Sequence, residues 1–125
     1  MSYFSGLTRA QADGLYCPSS YTSVVTGSAV TVNSTTPVLI FSANSSTRIA
    51  WRVNVPTSVA TGVGMLFKVT ASNAAAPTKA EMVLAPSIRA EASALVVDDA
   101  SGNVNIYAVM ESGSSVTIAG EELLK

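Results

Sequence analysis

The residues able to do chemistry are few, and one absence narrows the field first. The chain has no histidine, which removes Ser-His-Asp and Cys-His catalysis together with the commonest metal ligand. Two carboxylate pairs remain. Asp98-Asp99 adjoin within Asp98-Asp99-Ala100-Ser101-Gly102, where acidic and serine side chains bond local backbone and glycine takes positive φ. Turn formation therefore outweighs calcium binding or acid–base work there. Glu121-Glu122 read as solvated charge near the C-terminal end of the sequence. Gly62-Val63-Gly64 has part of the spacing of a phosphate-binding loop. It lacks the third glycine, the lysine and the following helix that would aim N–H groups at a phosphate, so a turn or bulge at a strand entry is expected. The single cysteine, Cys17, cannot form an intrachain disulfide and reads as a small, half-buried apolar residue, which suits a reducing compartment or a particle assembled in one. No catalytic residue, cofactor or metal site emerges, and a non-enzymatic protein is expected.

The elements that would position these groups are strands. Hydrophobic residues make up 48% of the chain, mostly Ala and Val, and the polar remainder is rich in Ser and Thr; β-branched side chains pack well on a pleated surface and lose rotamer freedom in a helix. From Tyr21 onward, short apolar runs alternate with Gly, Ser, Asn and Pro at intervals of about 10 residues, the cadence of a sandwich or barrel. Strands are expected at Ser28–Val32, Val38–Phe41, Arg48–Val55 and Met65–Thr70, with a shorter one at Glu81–Ala85 ended by Pro86. The last three are expected at Glu91–Val97, Asn103–Met110 and Ser115–Ile118 running on toward Leu123. The stretches 98–102 and 111–114 read as hairpin loops, which makes the last three strands an antiparallel meander. In Arg48–Val55, Ile49, Trp51, Val53 and Val55 share one parity, so Trp51 is the expected core anchor. Arg48 and Arg52 then fall on the outer face, as solvated strand arginines or as an inter-subunit ion-pair site. The expected fold is all-β: a single antiparallel β-sandwich, jelly-roll-like, of about eight strands.

Residues 1–20 differ. Thr8-Arg9-Ala10-Gln11 has capping-box spacing, which predicts a short helix from about Arg9, limited by Gly14 and ended before Pro18. Tyr3, Phe4, Leu7, Leu15 and Tyr16 give this stretch more apolar weight than it can bury on itself. The expected organisation is an attachment arm over residues 1–20 and a β-sandwich domain over 21–125, with those five residues, Arg48 and Arg52 as the partner-binding set.

Charge bounds the partners. Only 12% of residues are charged and the net charge is −1, so repulsion does little to keep copies apart and the surface suits being covered by neighbours. The seven basic residues are scattered, without the clustering that displaces counterions from a nucleic acid or an anionic membrane. Neither a signal peptide nor an apolar run of about 18 residues is visible, so a soluble protein is expected.

Ala29-Val30-Thr31-Val32 to Ile40, Asn44-Ser45-Ser46-Thr47-Arg48, Leu84-Ala85-Pro86, and Asn105-Ile106-Tyr107-Ala108-Val109 to Val116-Thr117-Ile118 together resemble small structural proteins of tailed bacteriophages. The segment Leu7 to Tyr16 is similar to docking segments of phage fibre and decoration proteins. The stretch from Thr57 to Pro77 lacks the Asn-rich strand of that pattern. The resemblance implies a virion protein made in the host cytoplasm, most simply a capsid decoration or cement protein. It further implies binding to the major capsid protein or another virion protein, as a homotrimer or other small homo-oligomer. The alternatives are a receptor- or carbohydrate-binding module and a tail or neck adaptor.

Overall fold

The computed structural model describes residues 23–43, 48–84, 88–98, 100 and 102–125. The expected arm, its helix, Cys17 and Asp99 lie outside the described residues. The fold is all-β, with antiparallel sheets and almost no helix. In chain order the elements are β1 (Ser23–Thr26), β2 (Val30–Val32), β3 (Val38–Phe41), β4 (Arg48–Asn54), β5 (Met65–Ala71), α1 (Lys79–Leu84), β6 (Ile88–Ala90), β7 (Leu95–Asp98), β8 (Val104–Met110), β9 (Val116–Ile118) and β10 (Glu121–Leu124). One four-stranded sheet runs β1-β10-β4-β7, the other β3-β8-β5-β6, and β2 pairs β9 in a third.

Alternation along β4 sends Trp51 and Val53 into one apolar cluster, where they meet Phe41 of β3, Phe67 of β5 and Ile106 and Ala108 of β8. Residues of both four-stranded sheets thus share a core. Trp51 is fully buried and spans it, with its ring centroid 5.7 Å from Phe41 and 5.5 Å from Phe67, both tilted, a favourable aromatic geometry. Its Nε1 has no hydrogen-bond partner among the described residues, so packing alone holds the ring.

The runs Met65-Leu66-Phe67 and Ala108-Val109-Met110 do not alternate because both faces of β5 and β8 are covered. Met65, Phe67, Ala108 and Met110 face the shared core, whereas Leu66 and Val109 turn the other way and meet Met82 of α1. This corrects the expected strand at Glu81–Ala85. Thr78 and Glu81 form a capping box: the Thr78 N–H donates to Glu81 Oε1 at 2.9 Å, and the Glu81 N–H donates to Thr78 Oγ1 at 3.2 Å. A helix this short is unstable alone; buried Met82 fastens it to the sheet.

The connections overturn the expected meander. β7 pairs β4, β8 lies between β3 and β5, β9 pairs β2, and β10 lies between β1 and β4. Both edges of β8 are occupied, so neither β7 nor β9 can pair with it, and consecutive strands β7, β8 and β9 lie in three different sheets instead of forming hairpins. Asp98 ends β7 and is buried, not a solvated turn residue. Only Leu95–Val97 of the expected strand Glu91–Val97 is strand; residues 91–94 form the turn between β6 and β7. Ser93 takes φ 67°, the Ala94 N–H donates to Glu91 O at 3.1 Å, and this turn carries the chain from the β5 side to the β4 side. The last strand is divided. β9 ends at Ile118 and β10 begins at Glu121; at Gly120 between them the chain passes so close to Phe41 that a Cβ would collide with its ring.

Candidate functional site

The expected partner-binding residues Tyr3, Phe4, Leu7, Leu15 and Tyr16 lie outside the described residues. Arg48 and Arg52 are described, and neither is a solvated outer-face group: they are 1% and 7% exposed. For Arg48 the reason is a bulge. Leu123 pairs with Ala50 but Leu124 pairs with Arg48, leaving Ile49 over. Cross-strand partners share a face and successive residues alternate, so the extra residue turns Arg48 to the Trp51 side while Arg52 stays on the other. Arg48 Nη1 donates to Glu122 Oε2 at 3.1 Å and to Ser42 O at 3.3 Å, and its Nη2 donates to Val104 O at 2.6 Å. Its guanidinium carbon stands 5.9 Å from the Phe41 ring centroid. Burial pushes its pKa down, and Glu122 opposes the shift. Arg52 Nε donates to Glu121 Oε1 at 3.0 Å. Glu121 and Glu122, expected as solvated charge, are the internal counterions of the two arginines.

A second polar cluster stands beyond the far end of β8. Glu111 Oε2 accepts from Arg89 Nε at 2.8 Å, and its Oε1 accepts from Arg89 Nη2 at 2.9 Å and from the Gly64 N–H at 2.8 Å. The Glu111 N–H donates back to Gly64 O at 2.9 Å. Lys79 Nζ donates to Ser34 O at 2.6 Å and Glu111 O at 2.7 Å. Glu111 thereby ties β6, α1 and the 55–64 connection together. Arg89 holds the Glu111 carboxyl below the usual carboxylate range, helped by the Gly64 N–H. Hydrogen bonds to Glu111 and Glu91 raise Arg89. Gly64 is needed because a Cβ there would stand 2.7 Å from Arg89 Nε. Gly62, with φ +80°, makes the turn ahead of β5 expected from the Gly62-Val63-Gly64 spacing.

Beside this clamp is a cleft of about 270 Å³ between the 55–64 and 111–115 connections. Ser58, Ser112, Ser114 and Ser115 line its exposed mouth. Val59, Val63, Met110 and Val116, buried or half-buried, form its floor. Gly113 turns the rim with φ +88° and open space at its Cβ position. No ionisable side chain lines the cleft, so it offers hydroxyl hydrogen bonding over an apolar surface and no charge.

Sequence reasoning missed Glu111, assigning it to a turn, and nothing local could have found it, because Arg89 is 22 residues away. The capping box Thr78-Lys79-Ala80-Glu81 was available as a signal for α1. Among the described residues no three His, Cys, Asp or Glu residues gather to hold a metal, and no helix is long and apolar enough to cross a membrane. No family model, curated protein or solved structure matches the chain.

Proposed function

We propose that the chain is a non-enzymatic structural protein of a tailed-bacteriophage virion, a decoration or cement protein that binds the assembled capsid. Its partner in this reading is the major capsid protein or another virion protein, and it acts as a homotrimer or other small homo-oligomer. The observation that carries the reading is β1. Among the described residues this strand lies at the edge of its sheet, and it is exposed at all four positions and has the uncharged sequence Ser-Val-Val-Thr. Edge strands are ordinarily guarded by Lys, Pro or a bulge; β1 has none of these. Such a strand is an acceptor for another chain, as expected of a protein that works covered by neighbours. Residues 1–20 supply the attachment arm in this reading, through Tyr3, Phe4, Leu7, Leu15 and Tyr16.

The architecture that fits this role is a jelly-roll β-sandwich. Two four-stranded sheets contribute to one core, and successive strands β3, β4 and β5, then β6, β7 and β8, alternate between them, as in a double-sheet jelly roll. Taking β1 with β2 and β9 with β10 as two interrupted strands brings the count to the expected eight.

The test is to purify particles from cells making a tagged full-length chain and to locate the tag by electron microscopy. Copies in a symmetric array on the head support the reading; absence of the chain from purified particles overturns it. Full-length Leu7→Asp and Leu15→Asp variants probe the arm, and undiminished decoration by both would remove it from the proposal. A tail or neck adaptor differs only in where the tag is seen. The receptor- or carbohydrate-binding alternative is favoured by the serine-lined cleft.

A further inference from the structure

We propose that the cleft between the 55–64 and 111–115 connections binds a single ring of a neutral polyhydroxylated ligand, a pyranose sugar being the class that fits. The proposal stands on the cleft alone and is independent of where in a particle the chain resides.

Three features select that chemistry. Each serine hydroxyl at the mouth can donate one hydrogen bond and accept two, so four of them can pair with ring hydroxyls of either polarity. The floor of Val59, Val63, Met110 and Val116 offers an apolar surface on which the C–H face of a pyranose can be removed from water. The lining carries no charge, and the cations tying the adjacent connections are engaged: Lys79 with Ser34 O and Glu111 O, Arg89 with Glu111 and Glu91. An anionic ligand would gain nothing that a neutral one lacks.

Size and rigidity agree with this choice. A cleft of about 270 Å³ has room for roughly nine waters at ~30 Å³ each and falls just under the ~300–1,000 Å³ of sites for larger ligands. One ring fills the cleft. The two walls are held in place by the paired Gly64–Glu111 hydrogen bonds and by Arg89, so little ordering is left to be done on binding. The serines are exposed and exchange bonds with water, which sets the expected affinity in the millimolar range, a Kd of about 1–10 mM.

The experiment is an amide NMR titration of the ¹⁵N-labelled full-length chain. The probes are the methyl α-pyranosides of glucose, galactose and mannose and N-acetylglucosamine, to about 100 mM, with glucuronate and cyclohexanol as controls. The expected result is saturable shifts at Ala60, Val63 and Gly113–Val116 with at least one neutral sugar, exceeding those from either control. Replacing Ser112→Ala and Ser114→Ala together, both at exposed positions, should weaken that binding about tenfold. Three results overturn the proposal: no saturable shift with any of the four sugars, shifts centred elsewhere, or cyclohexanol binding as well as the sugars in both the parent and the double variant.

Discussion

The two ends of β8 carry the same pair of residue types in opposite settings. Beside Val104, Arg48 is stripped of water and held by Glu122, whose side chain is 16% exposed. Beyond Met110, Arg89 meets Glu111 with side chains 39% and 33% exposed. The exposed pair has the shorter, two-bond geometry, 2.8 and 2.9 Å against a single 3.1 Å, so it is solvent that makes the buried pair the structural one. A buried pair pays desolvation on both ions, and removing one partner strands a charge, whereas an exposed pair is screened and contributes little. The Val104 end is therefore structural. The Met110 end leaves its loops open enough to frame a cleft, and its charges shape backbone more than they stabilise the fold.

Four measurements break or sharpen this contrast. Trp51→Ala, between the two ends, should cost about 3–5 kcal/mol against a total stability of roughly 5–15, seen as a large drop in urea midpoint. An unchanged midpoint would mean that the aromatic contacts with Phe41 and Phe67 do not anchor the core. Glu122→Ala should rank next, because it removes the carboxylate that Arg48 Nη1 donates to at 3.1 Å in a buried setting, while an Arg48→Met, Glu122→Leu double variant should recover part of the loss. Equal losses in the single and double variants would show that packing, not the Arg48–Glu122 interaction, sets the cost.

Gly64→Ala should cost about 1–3 kcal/mol, because the new Cβ would stand 2.7 Å from Arg89 Nε. Restoring most of the loss with Arg89→Ala in the same chain would confirm that this contact is responsible. The smallest effect is expected from Glu111→Gln, under about 1 kcal/mol at neutral pH after screening. Its signature is pH dependence. The folded-state pKa of Glu111 lies below its usual value of 4.5, so its contribution is fully present above that value and is lost as pH falls through the folded pKa. Subtracting the Glu111→Gln acid-denaturation curve from the parent's should isolate this loss below about pH 4.5; parallel curves would contradict the assignment.

Local patterns carried much of the fold. β3, β4, β5 and β8 were legible because period-2 alternation and dense β-branched runs depend on neighbours in sequence, and the turn at Gly62 followed from glycine's backbone freedom. α1 was legible in principle from the same Thr-x-x-Glu/Gln spacing that was read at Thr8–Gln11, but Met82-Val83-Leu84 imitates a strand. The cleft was not legible at all. Its mouth combines Ser58 with Ser112, Ser114 and Ser115, from two connections that become neighbours because β5 pairs β8 with Met65 opposite Met110.

What the sequence determined by itself was an all-β chain with Trp51 turned inward and no histidine-based chemistry, since composition and side-chain parity need no knowledge of partners. Which strands pair, and where the charges end up, was decided by the tertiary structure. Arg48 and Arg52 have the spacing of two residues on one face, yet the extra residue at Ile49 sends them to opposite faces, each toward a glutamate. Arg48 and Glu122 stand 74 residues apart. The bulge arises from the register of β4 against β10, strands distant in sequence whose pairing exists only in the folded sheet.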